Sequence, residues 1–497
     1  MLNCFYRIVT DGFSMSIQFE QSYAEQFADC SQPLFSAVQV AATGGAPQWL
    51  AFNQQLADKL AIPAPWQTTE QALKLYAGAA LPSCLKPIAL GYAGHQFGHF
   101  VPRLGDGRAM LLTELVTSSG ERFDVQLKGA GTTDFSRSGD GRAPLGPVLR
   151  EFVVSEAMHA LGIPTTRALA AVSTGAWVYR EQALPGAVLT RVASSHLRIG
   201  TAQYVASFAD ETLRQRFADY VIARHYPHCA TAAQPYQALY SAIIERQARL
   251  VAQWMSVGFI HGVMNTDNMT LSGETIDYGP CAFMEHYDPN AVFSAIDRAG
   301  RYAYKNQPAI ALWNLARLGE AWLPLMATES IAAIEHATRL VNEFPQRYEH
   351  HYYQLMANKI GLADCRQDDR QLIEQLLQTM ADLQLDYTNT LRWLAQGEFS
   401  EHQPLRDWQQ QWQQRLQQQG QPLAQVYTVM NQHNPAVIPR NHWLEAAITQ
   451  TMESGELTLF NELMTVLRTP YEFPSSLSQY TLPATAEQRV QRTFCGT

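Results

Sequence analysis

The chain has 497 residues, 46% of them apolar and 16% charged, enough to bury a sizeable core and too apolar for a mainly disordered polypeptide. Its formal net charge of −9 supplies no basic field for non-specific nucleic-acid binding. No uninterrupted apolar run reaches the roughly 18 residues of a membrane-spanning helix, so no membrane association is expected.

At about 150 residues per domain, the length suits three domains or one large two-lobed enzyme with an added segment. The opening MLNCFYRIVTDGFSM lacks a charged stretch followed by an apolar one, as a secretory leader would have. Met15 offers an alternative start, which would make residues 1–14 an upstream artefact. Seven cysteines (Cys4, Cys30, Cys84, Cys229, Cys281, Cys365 and Cys495) are scattered without a CxxC pair. That usage points to a reducing cytoplasm and away from a disulfide framework or zinc ribbon.

From Gln21 to Pro82 the sequence reads as mixed but mostly helical. Glycines then cluster at Gly91, Gly94, Gly98, Gly105 and Gly107. RAMLLTELVT and RFDVQLKG flank Ser118-Ser119-Gly120-Glu121, which predicts a β-hairpin. PLGPVLREFVVSEAMHALG has helical spacing and ends at Gly162 and Pro164. TRALAAVS and GAVLTRVA read as strands with a turn at Ser173-Thr174-Gly175. Beyond His196, TAQYVASFADETLRQRFADYVIARHY and YQALYSAIIERQARLVAQWMSVGF carry the three- and four-residue apolar steps of amphipathic helices. HGVMNTDNMTLSGETIDYG interrupts them with a loop and short hairpin, and helical text resumes to about Gln396. In DWQQQWQQRLQQQGQ, Trp408, Trp412 and Leu416 stand four apart, which predicts a surface helix rather than a prion-like tract. A β-rich block before a helical block implies an α+β, two-lobed chain with an all-helical C-terminal addition.

Chemistry-bearing residues concentrate in that order. Lys128 emerges from a strand behind a glycine-rich turn, as in kinase-type phosphate sites. A carboxylate on the following helix would orient it; Glu151 and Glu156 are the candidates, and Glu151 is preferred. Two copies of Gly-Asp-Gly-Arg (105–108 and 139–142) bracket the lysine strand, and their backbone N–H groups and arginines suit phosphate oxygens. His261 and Asn268 reproduce the spacing of a kinase H-x-D-x-x-x-x-N loop. Val263 replaces the expected aspartate, and Asp267 stands immediately before the asparagine instead. Asn268 with the Asp277 of Asp-Tyr-Gly supplies two oxygen ligands suited to Mg²⁺ or Mn²⁺. Arg191 and Arg198, where strands give way to helices, are candidate triphosphate donors. His350-His351 lacks the HExxH pattern, and no GxSxG or Cys–His signature points to a hydrolase.

As a set, GYAGHQFGHFVPRLGDGRA, QLKGAG…SRSGDGRA, REFVVSEAMHALGIPTTRAL, TRVASSHLRIG, HGVMNTDNM, TIDYGP and NPAVIPRNH resemble the selenoprotein O family of protein adenylyltransferases. The resemblance spans about Gly91 to Asn441. It implies a protein-kinase-like fold whose flipped ATP presents its α-phosphate, so that AMP is transferred to Ser, Thr or Tyr hydroxyls of proteins. It implies Asp267 as proton acceptor and Asn268 and Asp277 as metal ligands. It also implies ATP contacts at Gly105, Gly107, Arg108, Lys128, Asp140, Gly141, Arg191, Arg198 and Asp277. The organisation expected is an N-terminal extension (1–90), a kinase-like β-rich lobe (91–195), a helical lobe with the catalytic and metal loop (196–358), and a helical C-terminal extension (359–497). The chain is expected to act as a monomer on ATP and protein substrates. Because family members often end in selenocysteine or cysteine, Cys495 is a candidate redox partner for Cys281. The alternatives are a γ-phosphoryl-transferring kinase and an ATP-binding pseudokinase scaffold.

Overall fold

A computed structural model describes residues 4–10, 13–30, 34–40, 44–208 and 210–494. Its β-rich N-terminal part is a ten-stranded sheet, all of whose pairings are antiparallel. The main path runs Cys4–Thr10, Phe13–Glu20, Ala109–Val116, Arg122–Lys128, Ala183–Ala193, Arg167–Tyr179, Gln48–Phe52. The predicted hairpin forms, with Gly120 at φ +83° in its turn and Ala109 opposite Lys128 at its far end. Side chains alternate across a strand, so Val125 and Leu127 enter a small core with Trp66, Leu75 and Val188. Gln126 and Lys128 therefore face the opposite way, toward the helices.

The opening segment from Gln21 to Pro82 is mixed as expected, with helices Ser22–Phe27, Gln54–Lys59 and Glu70–Tyr76 and two short strands, Phe35–Ala37 and Gln48–Phe52, that join the sheet. Two sequence expectations change. Ser173-Thr174-Gly175 is not a turn but an irregularity within a strand running from Arg167 to Tyr179, and the chain reverses at Arg180–Gln182. The cause is tertiary: Gly175, at φ +68°, lies against the Ala46 backbone, too close for any side chain. The first long helical stretch divides into Ile199–Phe208 and Glu211–His225, the second capped by Asp210, whose carboxylate accepts from Leu213 N.

The helix Leu145–Ala160 packs between the sheet and the C-terminal helices. Its Leu149, Phe152 and Val153 join the large core, which continues into Pro235–Ser256 and the helices beyond Gln307. Arg224 ties sheet to helices: its guanidinium reaches Glu114 (2.6 Å), Asp124 (2.5 Å) and the Ser194 carbonyl (2.7 Å). The glutamine-rich stretch is the helix Gln403–Gln417; its polar face is exposed, while Trp408 and Trp412 stack inside and donate to the Leu372 and Ile360 carbonyls. No helix of the described residues is long and apolar enough to cross a membrane.

Candidate active site

Between the sheet and the helices lies a cavity of about 840 Å³. Seven arginine and lysine side chains line it against five carboxylates, a positive excess within a chain of net charge −9. Its centre is Asp277, held at φ +64°, a conformation unusual for a residue with a side chain. One carboxylate oxygen accepts from Lys128 Nζ (2.6 Å) and Arg191 Nη1 (2.7 Å), the other from Arg198 Nη1 (2.9 Å). Burial alone would raise the Asp277 pKa, but Lys128, Arg191 and Arg198 outweigh it and hold the group well below the usual carboxylate range.

Glu151 is the lysine's second partner: Oε2 lies 2.6 Å from Lys128 Nζ and Oε1 3.1 Å from Arg191 Nη1. Glu156, the other candidate on that helix, is used elsewhere. It binds Arg167 at 2.8 and 2.6 Å, the Ala168 N–H at 2.9 Å and the Asn53 amide at 2.7 Å. The five-residue offset between the two glutamates turns them to different faces of the helix.

The segment from His261 to Asp277 contains no strand: the hairpin expected there is a tight turn closed between Thr270 and Glu274, with single bridges from Thr270 to Arg198 and from Thr275 to Thr165. His261 is a buried brace. Its ring Nε2 meets the Ile276 carbonyl at 2.9 Å, just before Asp277, and burial lowers its pKa. Thr266–Asn268 forms a single 3₁₀ turn. The Asn268 Nδ2 donates to the Val263 carbonyl (2.9 Å), and its amide oxygen takes no part in that bond. Asp267 is buried, and its Oδ1 has no hydrogen-bond partner among the described residues. Burial pushes its pKa up to about 6 against the pull of Arg198, within the range where a carboxylate serves as a general base near neutrality.

Gly105, Gly107, Arg108, Asp140 and Gly141 all line the same cavity. Asp140 accepts from both terminal nitrogens of Arg180 (2.9 and 3.1 Å) and from the Arg142 N–H (3.0 Å). Every expected nucleotide, metal and proton-accepting residue is thus gathered in one place. Cys281 is buried, its thiol donating to the Tyr278 carbonyl (3.4 Å). Cys495 lies outside the described residues, so the pairing expected of it does too.

Gln126 and Arg180 carry no role in the sequence reading, and Asp106 and Arg142 enter it only as members of the Gly-Asp-Gly-Arg motifs. Gln126 shares the lysine's strand face by simple alternation. Arg180 was hidden by the misplaced turn.

The donor set fits a hard divalent cation: one carboxylate held ionised and one amide oxygen, with remaining positions left to phosphate and water. Among the described residues no three His, Cys, Asp or Glu side chains converge as a protein-only cage.

A family model described as protein adenylyltransferase SelO matches residues 17–468. The chain belongs to that family. Curated relatives named protein nucleotidyltransferase YdiU share about half its residues. The protein nucleotidyltransferase YdiU of Anoxybacillus flavithermus is 52% identical over 453 residues, covering 91% of this chain and 94% of the relative. That of Bradyrhizobium diazoefficiens is 51% identical over 463 residues, with 91% and 94% covered. That of Rhizobium leguminosarum bv. trifolii is 49% identical over 491 residues, with 96% and 97% covered. Membership makes the chain one of a family of enzymes, and the cavity is where its chemistry-bearing residues meet.

Proposed function

We propose that the protein transfers AMP from ATP to Ser, Thr or Tyr hydroxyls of protein substrates, releasing pyrophosphate, with Mg²⁺ or Mn²⁺ required. The observation that carries this is Asp277, gripped by Lys128, Arg191 and Arg198 in a cavity that also holds Asp267 and Asn268. A kinase-like organisation accords with the lysine strand, the Glu151 helix and the loop bearing Asn268. In it, residues 91–195, with strands added from 1–90, form the small lobe, residues 196–358 the large one, and 359–497 an extension.

Each side chain then has a task. The excess cationic charge draws the triphosphate in. Arg191 and Arg198 donate to phosphate oxygens, Glu151 keeps Lys128 aimed, and the glycines of both Gly-Asp-Gly-Arg loops admit backbone N–H donors. Asn268 and Asp277 would hold the metal, which when bound offsets charge on the phosphates. Asp267 takes the proton from the acceptor hydroxyl as its oxygen bonds to the α-phosphorus and the bond to pyrophosphate breaks. The cationic side chains stabilise the negative charge that develops on the leaving pyrophosphate.

ATP labelled separately at the α- and γ-phosphates tests the reading. Label on protein from the α position alone, lost in Asp267→Ala and Asp277→Ala and on chelation, is expected. Label from γ alone would make the chain a kinase, and label from neither a binding scaffold; either result overturns AMP transfer.

A further inference from the structure

Arg191 and Arg198 address opposite oxygens of Asp277, so their separation sets the shape of the anion-binding end of the cavity. Long side chains hold a separation only if something else fixes their far edges. Arg191 is paired across the sheet with Gln126. The Gln126 Oε1 accepts from both Nε (3.1 Å) and Nη2 (2.6 Å) of Arg191, leaving Nη1 for Asp277 and Glu151. The other end of the amide, Nε2, donates to Asp106 Oδ2 at 3.0 Å. Arginine offers only donors and the carboxylate only acceptors, so this amide orientation alone satisfies both neighbours.

Asp106 is itself anchored: its Oδ2 accepts the Leu90 N–H (3.3 Å), its N–H donates to the Leu90 carbonyl (2.9 Å), and its carbonyl accepts from Thr133 Oγ1 (2.6 Å). Its Oδ1 faces Arg198 Nη2 at 3.7 Å. Arg198 is further held by the Asp267 carbonyl (2.7 Å) and by the Tyr92 ring beneath its guanidinium. The contacts close a ring: Asp277, Arg191, Gln126, Asp106, Arg198 and back to Asp277. Gln126 is 0% exposed and Asp106 2%. Two polar side chains buried this deeply are costly unless paired: Gln126 is bonded to Arg191 and Asp106, and Asp106 to Gln126 and the Leu90 N–H with Arg198 as its nearest charge.

We propose that Gln126 and Asp106 are positioning residues: they form a relay that fixes the spacing of Arg191 and Arg198 independently of Asp277, so that both guanidinium groups are preorganised for a triphosphate. The proposal rests on the nucleotide reading of the cavity. The relay binds no substrate itself. It removes the need to order two long side chains when the anion arrives.

The test uses the full chain and its Gln126→Met and Asp106→Asn variants. Calorimetric affinities for ATP and for adenosine, which carries no phosphate, are compared. Gln126→Met is expected to weaken ATP about tenfold, equivalent to about 1.4 kcal/mol, and to leave adenosine within about twofold. Asp106→Asn, which keeps the shape and loses the charge facing Arg198, is expected to shift the same ratio in the same direction by less. An ATP-to-adenosine ratio equal to wild type in both variants overturns the relay. A crystal structure of a nucleotide-free variant gives a reading free of ligand. Arg191 turned from its Asp277-facing pose in Gln126→Met, or Arg198 in Asp106→Asn, supports the proposal, and an unmoved arginine sinks it. Should the wild-type chain bind ATP no better than adenosine, the nucleotide reading falls, and the crystal structure alone judges the relay.

Discussion

Replacing Gly94 with alanine tests whether Asp267 works from a fixed position. Gly94 opens a short hairpin, Gly94–Gln96 with His99–Val101, laid over the loop that carries Asp267. The hairpin cannot easily retreat: His95 N donates to Thr266 Oγ1 (2.8 Å), Phe97 N to Asn265 Oδ1 (3.0 Å), and Ala93 N to the Gly200 carbonyl (2.9 Å). A methyl group at position 94 would lie 2.9 Å from Asp267 Cγ and 2.8 Å from Leu104 Cδ1, and closer still to Asp267 Oδ1. Relaxing those contacts to an ordinary carbon separation of about 3.5–4.0 Å moves the carboxylate by roughly 0.6–1 Å. A displacement of about 1 Å at a reacting group costs on the order of 100-fold in rate. Gly94→Ala should therefore lower kcat for α-label transfer about 100-fold, with KM for ATP within about threefold, because the phosphate donors are untouched. Overpacking should cost about 1–3 kcal/mol of stability, measured by denaturant unfolding. A Gly94→Ala chain with wild-type kcat would refute a positioned Asp267.

The two helix glutamates should separate cleanly. Glu151→Gln is expected to lower kcat/KM at least tenfold, on the order of a misplaced catalytic group. Glu156→Gln is expected to leave activity near wild type while costing about 3 kcal/mol, since it breaks a mostly buried pair with Arg167; the reverse pattern in transfer assays and unfolding curves would overturn the assignment. Lys359 gives a pH signature remote from the site. Its ammonium donates to the His433 carbonyl (2.9 Å) and Asn434 Oδ1 (3.3 Å), and burial lowers its pKa from 10.5 to about 7. Below pH 7 both folded and unfolded chains hold the proton; between about 7 and 10.5 only the unfolded chain does, so this group makes stability rise with pH across that window. The unfolding free energy of wild type minus that of Lys359→Met should therefore grow by roughly 3 kcal/mol between pH 7 and 9.5. A constant difference would show that the amine titrates normally in the fold.

The parts of the protein legible from sequence are those written in local spacing. Alternation placed Lys128 at the end of a strand, and three- and four-residue steps placed Glu151 on the next helix. The run from His261 to Asp277 offered Asn268 and Asp277 as candidate oxygen ligands by order alone, whereas the role proposed for Asp267 came only from the family resemblance. What tertiary structure decided is where those side chains meet and which neighbours hold them. Gly175 looks like a turn residue until the Ala46 backbone is laid against it, and that misreading hid Arg180. Glu151 and Glu156 are both candidates along the chain, with Glu151 preferred, and what separates them is that one faces Lys128 and the other Arg167. Gln126 and Asp106 are 20 residues apart; strand pairing sets Gln126 against Arg191, and bonds to the Leu90 backbone hold Asp106 beside Gln126 and toward Arg198. Spacing specifies the direction of a side chain relative to its own element, whereas a partner on another element depends on packing, which local sequence does not encode.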